Sequence, residues 1–119
     1  MLSIKTVLFP FRLSLMSKKP ISVRTEITNT GETVQNISVK FLVSKDLSVE
    51  RSGLANILEK KLGVIDPKQT KIFYFDVYPK AAKTEIKDYP ARLIIFEHGE
   101  TYEYVDKEYR KDFVIKVDK

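Results

Sequence analysis

Apolar and polar residues alternate along most of this chain, a pattern typical of β-strands that bury one face and expose the other. The period of two runs from Ile21 to Thr28 and again from Gln35 to Ser44. It also runs through five N-terminal residues that share one parity: Val7, Phe9, Phe11, Leu13 and Leu15. Because proline cannot donate a ladder hydrogen bond, Pro10 predicts an edge strand or a strand that switches between sheets.

Further strands are predicted in the second half of the chain. Phe73, Phe75 and Val77 face inward on a strand that ends at Pro79, and residues 91–97 are apolar at nearly every position. A turn at residues 98–100 then leads into a returning strand over residues 102–117. We expect that last strand to break or bulge near residues 106–108.

The segment 53–62 departs from this alternation. Leu54, Ile57, Leu58 and Leu62 recur at helical spacing, and Gly63 follows in the position of a C-terminal cap. We therefore predict a short helical insert, about three turns long, that lies against the strands.

These elements predict one domain over residues 1–119, since a chain of 119 residues has the size of a single domain. The predicted fold is all-β: an immunoglobulin-like antiparallel β-sandwich of about seven strands with one short helical insert. In that fold the third, sixth and seventh strands are neighbours in one sheet.

Three turn motifs add a family resemblance. Asn29-Thr30-Gly31 follows an alternating strand, Asp66 to Thr70 precedes an aromatic strand, and Tyr89 to Leu93 opens the penultimate strand. Over about Pro20 to Val117 the chain resembles the CARDB-like modules of archaeal and bacterial surface proteins. It departs from them at Lys68, where the family usually has glycine, and in segment 53–62, where the family has a short connection. The resemblance implies a non-catalytic adhesion, spacer or interaction module without a fixed site motif.

Composition leaves the compartment open. The chain has no cysteine, which excludes disulfides and thiolate metal sites, and many Lys and Glu residues, which suits a thermophile. It has no apolar stretch long enough for a membrane span and no signal peptide. We expect a cytoplasmic protein if the sequence is complete, and an extracellular one if it was cut from a surface protein.

The sequence contains no recognisable catalytic, metal or cofactor site, so we predict that the protein is not an enzyme and has no cofactor. Its one histidine, His98, is expected to be a polar turn residue. Glu97, Glu100 and Glu103 lie nearby, but their spacing fits no calcium loop. Elsewhere no nucleophile, base and oxyanion donor can be assembled.

A net charge of +5 raises the alternative of an anionic partner. The candidate anion-binding residues are Lys80, Lys83, Lys87 and Arg92, together with Lys60 and Lys61. Nucleic acid fits poorly, because Tyr102 and Tyr104, which could stack on bases, lie in an acidic stretch that repels phosphate.

The candidate interface is apolar. If the strands alternate as predicted, four large apolar residues face outward on adjacent strands: Leu42, Ile94, Phe96 and Val114. Monomers seldom leave such a patch bare. The helix could cover it, a protein partner or second copy could bind it, or the strand pairing could be wrong. An open strand edge, such as the strand bent at Pro10, is another candidate interface.

We therefore predict a structural or protein-interaction module with a protein partner or homo-oligomer. If the patch is the interface, Ile94→Asp or Phe96→Asp abolishes association without unfolding the domain. Apolar association should be insensitive to salt, whereas anion binding should weaken steeply as salt rises.

Overall fold

The computed structural model describes residues 1–10, 12–17, 19–80, 83–99 and 101–119. Within these ranges the chain forms nine β-strands and no helix. The strands are β1 (Leu2–Phe9), β2 (Leu13–Ser14), β3 (Ile21–Asn29), β4 (Gln35–Val43), β5 (Leu47–Ser48), β6 (Ile57–Ile65), β7 (Thr70–Pro79), β8 (Asp88–Glu97) and β9 (Lys107–Asp118). None of the described residues forms a helix that could span a membrane.

The strands form two sheets that face each other across one apolar core. The first sheet has the order β1-β3-β7-β5, and the second has the order β2-β9-β8-β4-β6. Neighbouring strands are antiparallel except for β2 and β9, which are parallel. The third, sixth and seventh predicted strands, over residues 35–44, 91–97 and 102–117, correspond to β4, β8 and β9. Their predicted adjacency is confirmed, since β4 pairs with β8 and β8 pairs with β9.

Alternation along each strand builds the core, as the sequence predicts. On β3 every second residue from Ile21 to Asn29 is buried, and on β4 the same holds from Ile37 to Val43. The Phe41 ring lies 5.3 Å from that of Phe75, which belongs to the opposite sheet. Aromatic side chains from both sheets therefore interdigitate at the centre of the molecule.

Of the two alternatives predicted at Pro10, an edge strand or a switch between sheets, the switch is observed, and β1 is also the edge strand of its sheet. β1 precedes Pro10 and pairs with β3 in the first sheet, whereas β2 follows it and pairs with β9 in the second. Phe11, which shares the alternation of this strand, lies outside the described residues. The exposed residues of β1 include Val7 and Phe9, while Leu13 is fully buried.

The predicted helical insert over residues 53–62 is wrong. Most of that segment belongs to β6, which pairs antiparallel with β4. Leu58 and Leu62 are four residues apart, a spacing that fits one face of a strand as well as one face of a helix. The register shifts opposite Ile37 and Ser38, and this β-bulge lets Leu62 and Ile65 both point inward despite their spacing of three.

Gly63 serves this bulge and does not cap a helix. Its φ is 89°, in the region that favours glycine. The last strand also begins later than predicted: β9 starts at Lys107, and residues 102–106 form turns and bends ahead of it. The predicted break near residues 106–108 is thus the start of the strand.

Candidate functional site

The outer face of the second sheet carries the four residues of the predicted apolar patch. The strand registers place Leu42, Ile94, Phe96 and Val114 there. Their exposure differs widely: Ile94 is only 9% exposed, Val114 is 46% exposed, and the other two are half-buried. Apolar surface is therefore exposed to solvent at Val114, whereas Ile94 is almost fully buried.

Ion pairs divide this face into small apolar areas. Arg92 lies beside Leu42, and its Nε is 2.7 Å from a carboxylate oxygen of Asp112. Ile94 lies between Lys40 and Arg110 on the neighbouring strands. No described residue is helical, so a helix does not cover this face. Long charged side chains such as those of Lys40, Arg92 and Arg110 can cover neighbouring apolar surface with their stems.

The Arg92–Asp112 pair has a measurable electrostatic signature. A hydrogen bond from Arg92, aided by its charge and that of Arg110, holds the pKa of the Asp112 carboxyl below its ordinary value. The same hydrogen bond raises the pKa of Arg92. A carboxyl whose pKa is depressed by folding stabilises the folded state above its unfolded pKa, and this contribution is lost as pH falls through its folded pKa.

Arg92→Gln is therefore expected to raise the pKa of Asp112 and to flatten the loss of stability on acidification. NMR titration of the Asp112 carboxyl carbon measures the first effect, and denaturation at a series of acidic pH values measures the second. Lys5→Gln, which removes an exposed cation from the first sheet, is the matched control. An Asp112 pKa that is the same in wild type and Arg92→Gln would contradict the assignment.

Most of the candidate anion-binding residues are engaged by groups of the protein itself. Lys80 Nζ donates to the carbonyl of Lys45 at 2.6 Å. Lys87 pairs with Glu85 at 3.5 Å, and Arg92 is engaged by Asp112. Residues 81 and 82 of the same loop lie outside the described residues. Three of the four candidate residues thus have partners within the protein, which weakens the case for an anion site here.

The sequence did not single out a groove on the outer face of the second sheet, at the end where the β8–β9 connection folds back. It has a volume of about 470 Å³, and its lining includes Ser38, Phe96, His98 and Tyr102. Lys61 Nζ lies 5.0 Å from the centre of the Tyr102 ring at its rim. Sequence spacing gives no signal for this groove, because its residues come from separate strands and a loop.

His98 lies in the expected connection, but it is only 7% exposed. Its Nε2 is 2.6 Å from Ser38 Oγ, and its Nδ1 is 2.9 Å from the carbonyl oxygen of Tyr104. Because a carbonyl only accepts, Nδ1 carries the hydrogen and donates it. The histidine thereby ties the loop that follows β8 to the middle of β4.

A serine bonded to a histidine whose other nitrogen is held resembles an activated nucleophile. Ser38, however, lies within the β4–β8 ladder. The N–H of His98 donates to the carbonyl of Asn36 at 2.9 Å. Because bonded and non-bonded pairs alternate in an antiparallel ladder, the even-numbered residues of β4 are the ones that bond to β8. The Ser38 N–H is therefore engaged and cannot serve as an oxyanion donor beside its own hydroxyl.

Two of the three glutamates considered for a cation site fall among the described residues. Glu97 is buried, and its carboxylate accepts a hydrogen bond from the Met1 amino group at 2.8 Å. Tyr109 also donates to this carboxylate, at 3.4 Å. Glu103 is exposed, and Glu100 lies outside the described residues. Among the described side chains no group of three or more acidic, histidine or cysteine residues could hold a metal ion.

A hydrogen bond at the end of β7 shows which of its residues direct their backbone N–H and C=O groups towards β3. The N–H of Asn29 donates to the carbonyl of Gln69 at 3.0 Å, immediately next to the paired residues Thr28 and Thr70. Bonded and non-bonded pairs alternate in antiparallel ladders, so the odd-numbered residues of β7 bond to β3. The even-numbered residues direct their N–H and C=O groups to the opposite side.

This opposite side of β7 is open over most of its length. β5 pairs only with Tyr78 and Pro79. Among the described parts of the chain, no strand lies beyond β7 along the residues that precede this pair. We call the unpaired backbone groups, with their side chains, the β7 edge: Thr70, Ile72, Tyr74 and Asp76.

The centre of the β7 edge is apolar and exposed. Ile72 is 44% exposed and Tyr74 is 65% exposed. Hydrogen bonds from Arg24 to Tyr74 and to Glu26 raise the pKa of Arg24 and hold its guanidinium beside the tyrosine. The sequence signal for this edge is an unbroken apolar run over residues 72–75, where both faces of the strand are apolar.

Other strands with an open side carry features that hinder strand addition. β6 has the bulge, and its Gly63 N–H donates to the Tyr102 hydroxyl at 3.0 Å. On β1 the N–H of Leu2 donates to the Tyr109 hydroxyl at 3.1 Å. β9 carries charged residues along its open side: Glu108, Arg110, Asp112 and Lys116. The β7 edge has none of these features at its centre.

No protein-family model and no curated protein sequence matches this chain. Several solved structures are similar in fold. A FixG-related protein from Vibrio parahaemolyticus has a TM-score of 0.61 at 8% identity, over 98% of this chain and 95% of that one. AvmM, described as catalysing macrocyclization in alchivemycin A biosynthesis, has a TM-score of 0.57 at 8% identity, over 97% of this chain and 88% of that one.

A third similar structure belongs to a larger enzyme. The alkylpurine DNA glycosylase AlkC of Pseudomonas fluorescens, bound to DNA containing an abasic site analog, has a TM-score of 0.62 at 11% identity. The alignment covers 98% of this chain but 30% of the glycosylase. The two activities described among these proteins differ, and at such identities the likeness shows that this chain shares their fold and nothing more.

Proposed function

We propose that this chain is a non-catalytic, immunoglobulin-like interaction module that binds an extended segment of a protein partner along the β7 edge. The observation that carries the proposal is the row of unpaired backbone groups with Ile72 and Tyr74 exposed at its centre. Such a row can add a strand, with the main chain supplying affinity and alternate side chains supplying specificity. An open, flat, apolar edge without a partner is an aggregation hazard.

The immunoglobulin-like part of the proposal rests on three features. The first strand is divided between the two sheets, and the order of β4, β8 and β9 matches the CFG sheet of that fold. Tyr89, at the start of β8, is buried, and its hydroxyl accepts a hydrogen bond from the N–H of Glu85 at 2.8 Å. This resembles the tyrosine corner of immunoglobulin-like sandwiches.

The turn motifs support membership of the CARDB-like modules. Asn29 is fully buried, and its amide group donates to the carbonyls of Thr33 and Ile65. Lys68 has a φ of 66°. That conformation favours glycine, the residue that the family usually has at this position. The buried Asn29 and the positive φ of Lys68 are the two observations that support this membership.

Two other surfaces support a partner less well. Binding through Leu42, Ile94, Phe96 and Val114 would have to displace the ion pairs that divide that face. Anion binding through Lys80, Lys83, Lys87 and Arg92 would compete with partners that most of these residues already have within the chain. Binding at the β7 edge would use backbone hydrogen bonds and apolar side chains instead of charges. It should therefore change little with salt.

The proposal can be tested with a display library of ten-residue peptides. Selected peptides are expected to shift the amide resonances of Ile72 and Tyr74 and to protect them from hydrogen exchange. Amides at Phe73 and Phe75, which already bond to β3, should change less. Ile72→Lys combined with Tyr74→Lys should abolish binding. Selection of peptides that shift only the groove around Tyr102 would refute strand addition at this edge, and so would failure to select any peptide with a chain that is monomeric under the selection conditions.

A further inference from the structure

We infer that the occupant of the β7 edge is the β7 edge of a second copy of this chain, joined antiparallel about a two-fold axis at Phe73. This inference rests on the proposed function, because it names the partner of the same edge. The result is a continuous sheet in which the two β7 strands lie side by side at the centre.

The backbone geometry selects one register. Only even-numbered residues of β7 offer free groups, so each bonded pair must join two even-numbered residues. With the axis at Phe73, Ile72 pairs with Tyr74 of the second copy, and Thr70 pairs with Asp76 of the second copy. All four free residues of each strand are then used.

Neighbouring registers use the edge less completely. Moving the axis to Ile72 would pair Asp76 with Lys68 of the second copy, and Lys68 has a φ of 66° outside the strand. Moving the axis to Tyr74 would pair Thr70 with Tyr78 of the second copy, and that position is already paired with β5. The open length of the edge thus fits one self-pairing.

The side chains are complementary in this register. On the exposed face Ile72 lies beside Tyr74 of the second copy, a β-branched and aromatic pair of the kind that stabilises antiparallel sheets. The Thr70 hydroxyl lies 2.7 Å from the Thr28 hydroxyl, and it can donate to the Asp76 carboxylate of the second copy while it accepts from Thr28. The charged residues between Thr70 and Val77 are Lys71 and Asp76, and the register places no like charges directly opposite each other.

The symmetry closes the assembly. A two-fold pairing uses the same edge on both copies, so no free β7 edge remains to recruit a third chain. On the inner face Phe73, which is half-buried in one copy, meets Phe73 of the second copy. The edge that is an aggregation hazard in a single chain is thereby covered in a closed dimer.

The experiment is a charge-swap series measured by light scattering on a sizing column, from low micromolar to millimolar concentration. The lysine variant carries Ile72→Lys and Tyr74→Lys, and the glutamate variant carries Ile72→Glu and Tyr74→Glu. Wild type is expected to approach twice its mass of 13.8 kDa and to keep that mass in high salt. Each variant alone should be a monomer, because its register places like charges opposite each other.

Mixing the two variants is expected to restore the dimer at low salt, since position 72 of one chain and position 74 of the other then carry charges of opposite sign. Val7→Lys combined with Phe9→Lys is the matched control. It replaces two exposed apolar residues on the other edge strand of the same sheet and should leave the dimer intact. Restoration on mixing also shows that both variants are folded.

The outcomes separate the two proposals. A wild-type chain that stays monomeric at millimolar concentration while peptides bind at Ile72 and Tyr74 overturns the self-pairing and leaves the proposed function standing. A dimer that survives in both charged variants overturns the self-pairing as well. If peptide selection also yields nothing at the β7 edge, the proposed function falls with it.

Discussion

Phe41→Ala is expected to lower the free energy of unfolding by about 3–5 kcal/mol, the range for truncating a buried phenylalanine. Phe41 has no exposed surface. Its ring centre lies 5.3 Å from that of Phe75 and 5.9 Å from that of Phe113. Removing it takes away contacts with both sheets at once, and the rigid strands around it cannot collapse to refill the space.

Urea denaturation followed by circular dichroism measures this effect, provided that the slope with denaturant is the same in variant and wild type. Phe9→Ala is the matched control, because Phe9 is 76% exposed at the end of β1. It should change stability by less than about 0.5 kcal/mol. If the two truncations cost the same, the contact between Phe41 and Phe75 does not hold the sheets together.

The strands whose one face is buried could be predicted from the sequence. Ile21 to Asn29 and Gln35 to Val43 lie in the middle of their sheets, so the apolar period of two is directly imposed by burial. The switch at Pro10 could also be predicted, because a residue without an N–H cannot continue a ladder. In these places a local rule and the tertiary structure agree.

The β6 strand could not be predicted because its bulge disguises the period. Leu58 and Leu62 fit strand and helix equally, and the bulge brings Leu62 and Ile65 to the same face at a helix-like spacing. The sequence of this strand also lacks inward alternation around Glu59, Lys60 and Lys61. The segment forms a strand because it pairs with β4. This interaction is non-local, so the intrinsic propensities of its residues do not report it.

The candidate sites depend even more on non-local structure. The sequence predicts His98 as a polar turn residue, yet its side chain is buried. The loop that follows β8 folds back over it and places the carbonyl of Tyr104 beside its Nδ1. The direction of the backbone groups along β7 depends on its register with β3, and register is set by the folded pair and not by either strand alone. Alternation predicted the outward positions of Leu42, Ile94, Phe96 and Val114. It did not predict how far each of these side chains is buried by its neighbours.

Ile94→Asp is expected to destabilise the protein by about 3 kcal/mol instead of acting only on association. Ile94 is 9% exposed, so the change removes most of a buried apolar side chain, worth roughly 2 kcal/mol or more. Aspartate is also among the least favourable residues in a central strand, at a cost of up to about 1 kcal/mol. Lys40 and Arg110 on the neighbouring strands offset part of the charge penalty.

The two flanking cations already have carboxylate partners. Lys40 Nζ is 3.6 Å from Glu59, and Arg110 is 3.9 Å from Glu108. An aspartate at position 94 therefore competes with existing ion pairs, and salt screens whatever it gains. The destabilisation should accordingly grow when the denaturation is repeated at high salt.

Val114→Asp is the control that separates burial from position on the face. Val114 lies on the same outer surface, but it is 46% exposed, and β2 pairs with β9 only at Val117 and Asp118. Its substitution should cost less than about 1 kcal/mol. Denaturation midpoints give the stabilities, and light scattering gives the mass of each variant. An Ile94→Asp protein that is as stable as Val114→Asp but has lost a dimer would return the interface to this face and away from the β7 edge.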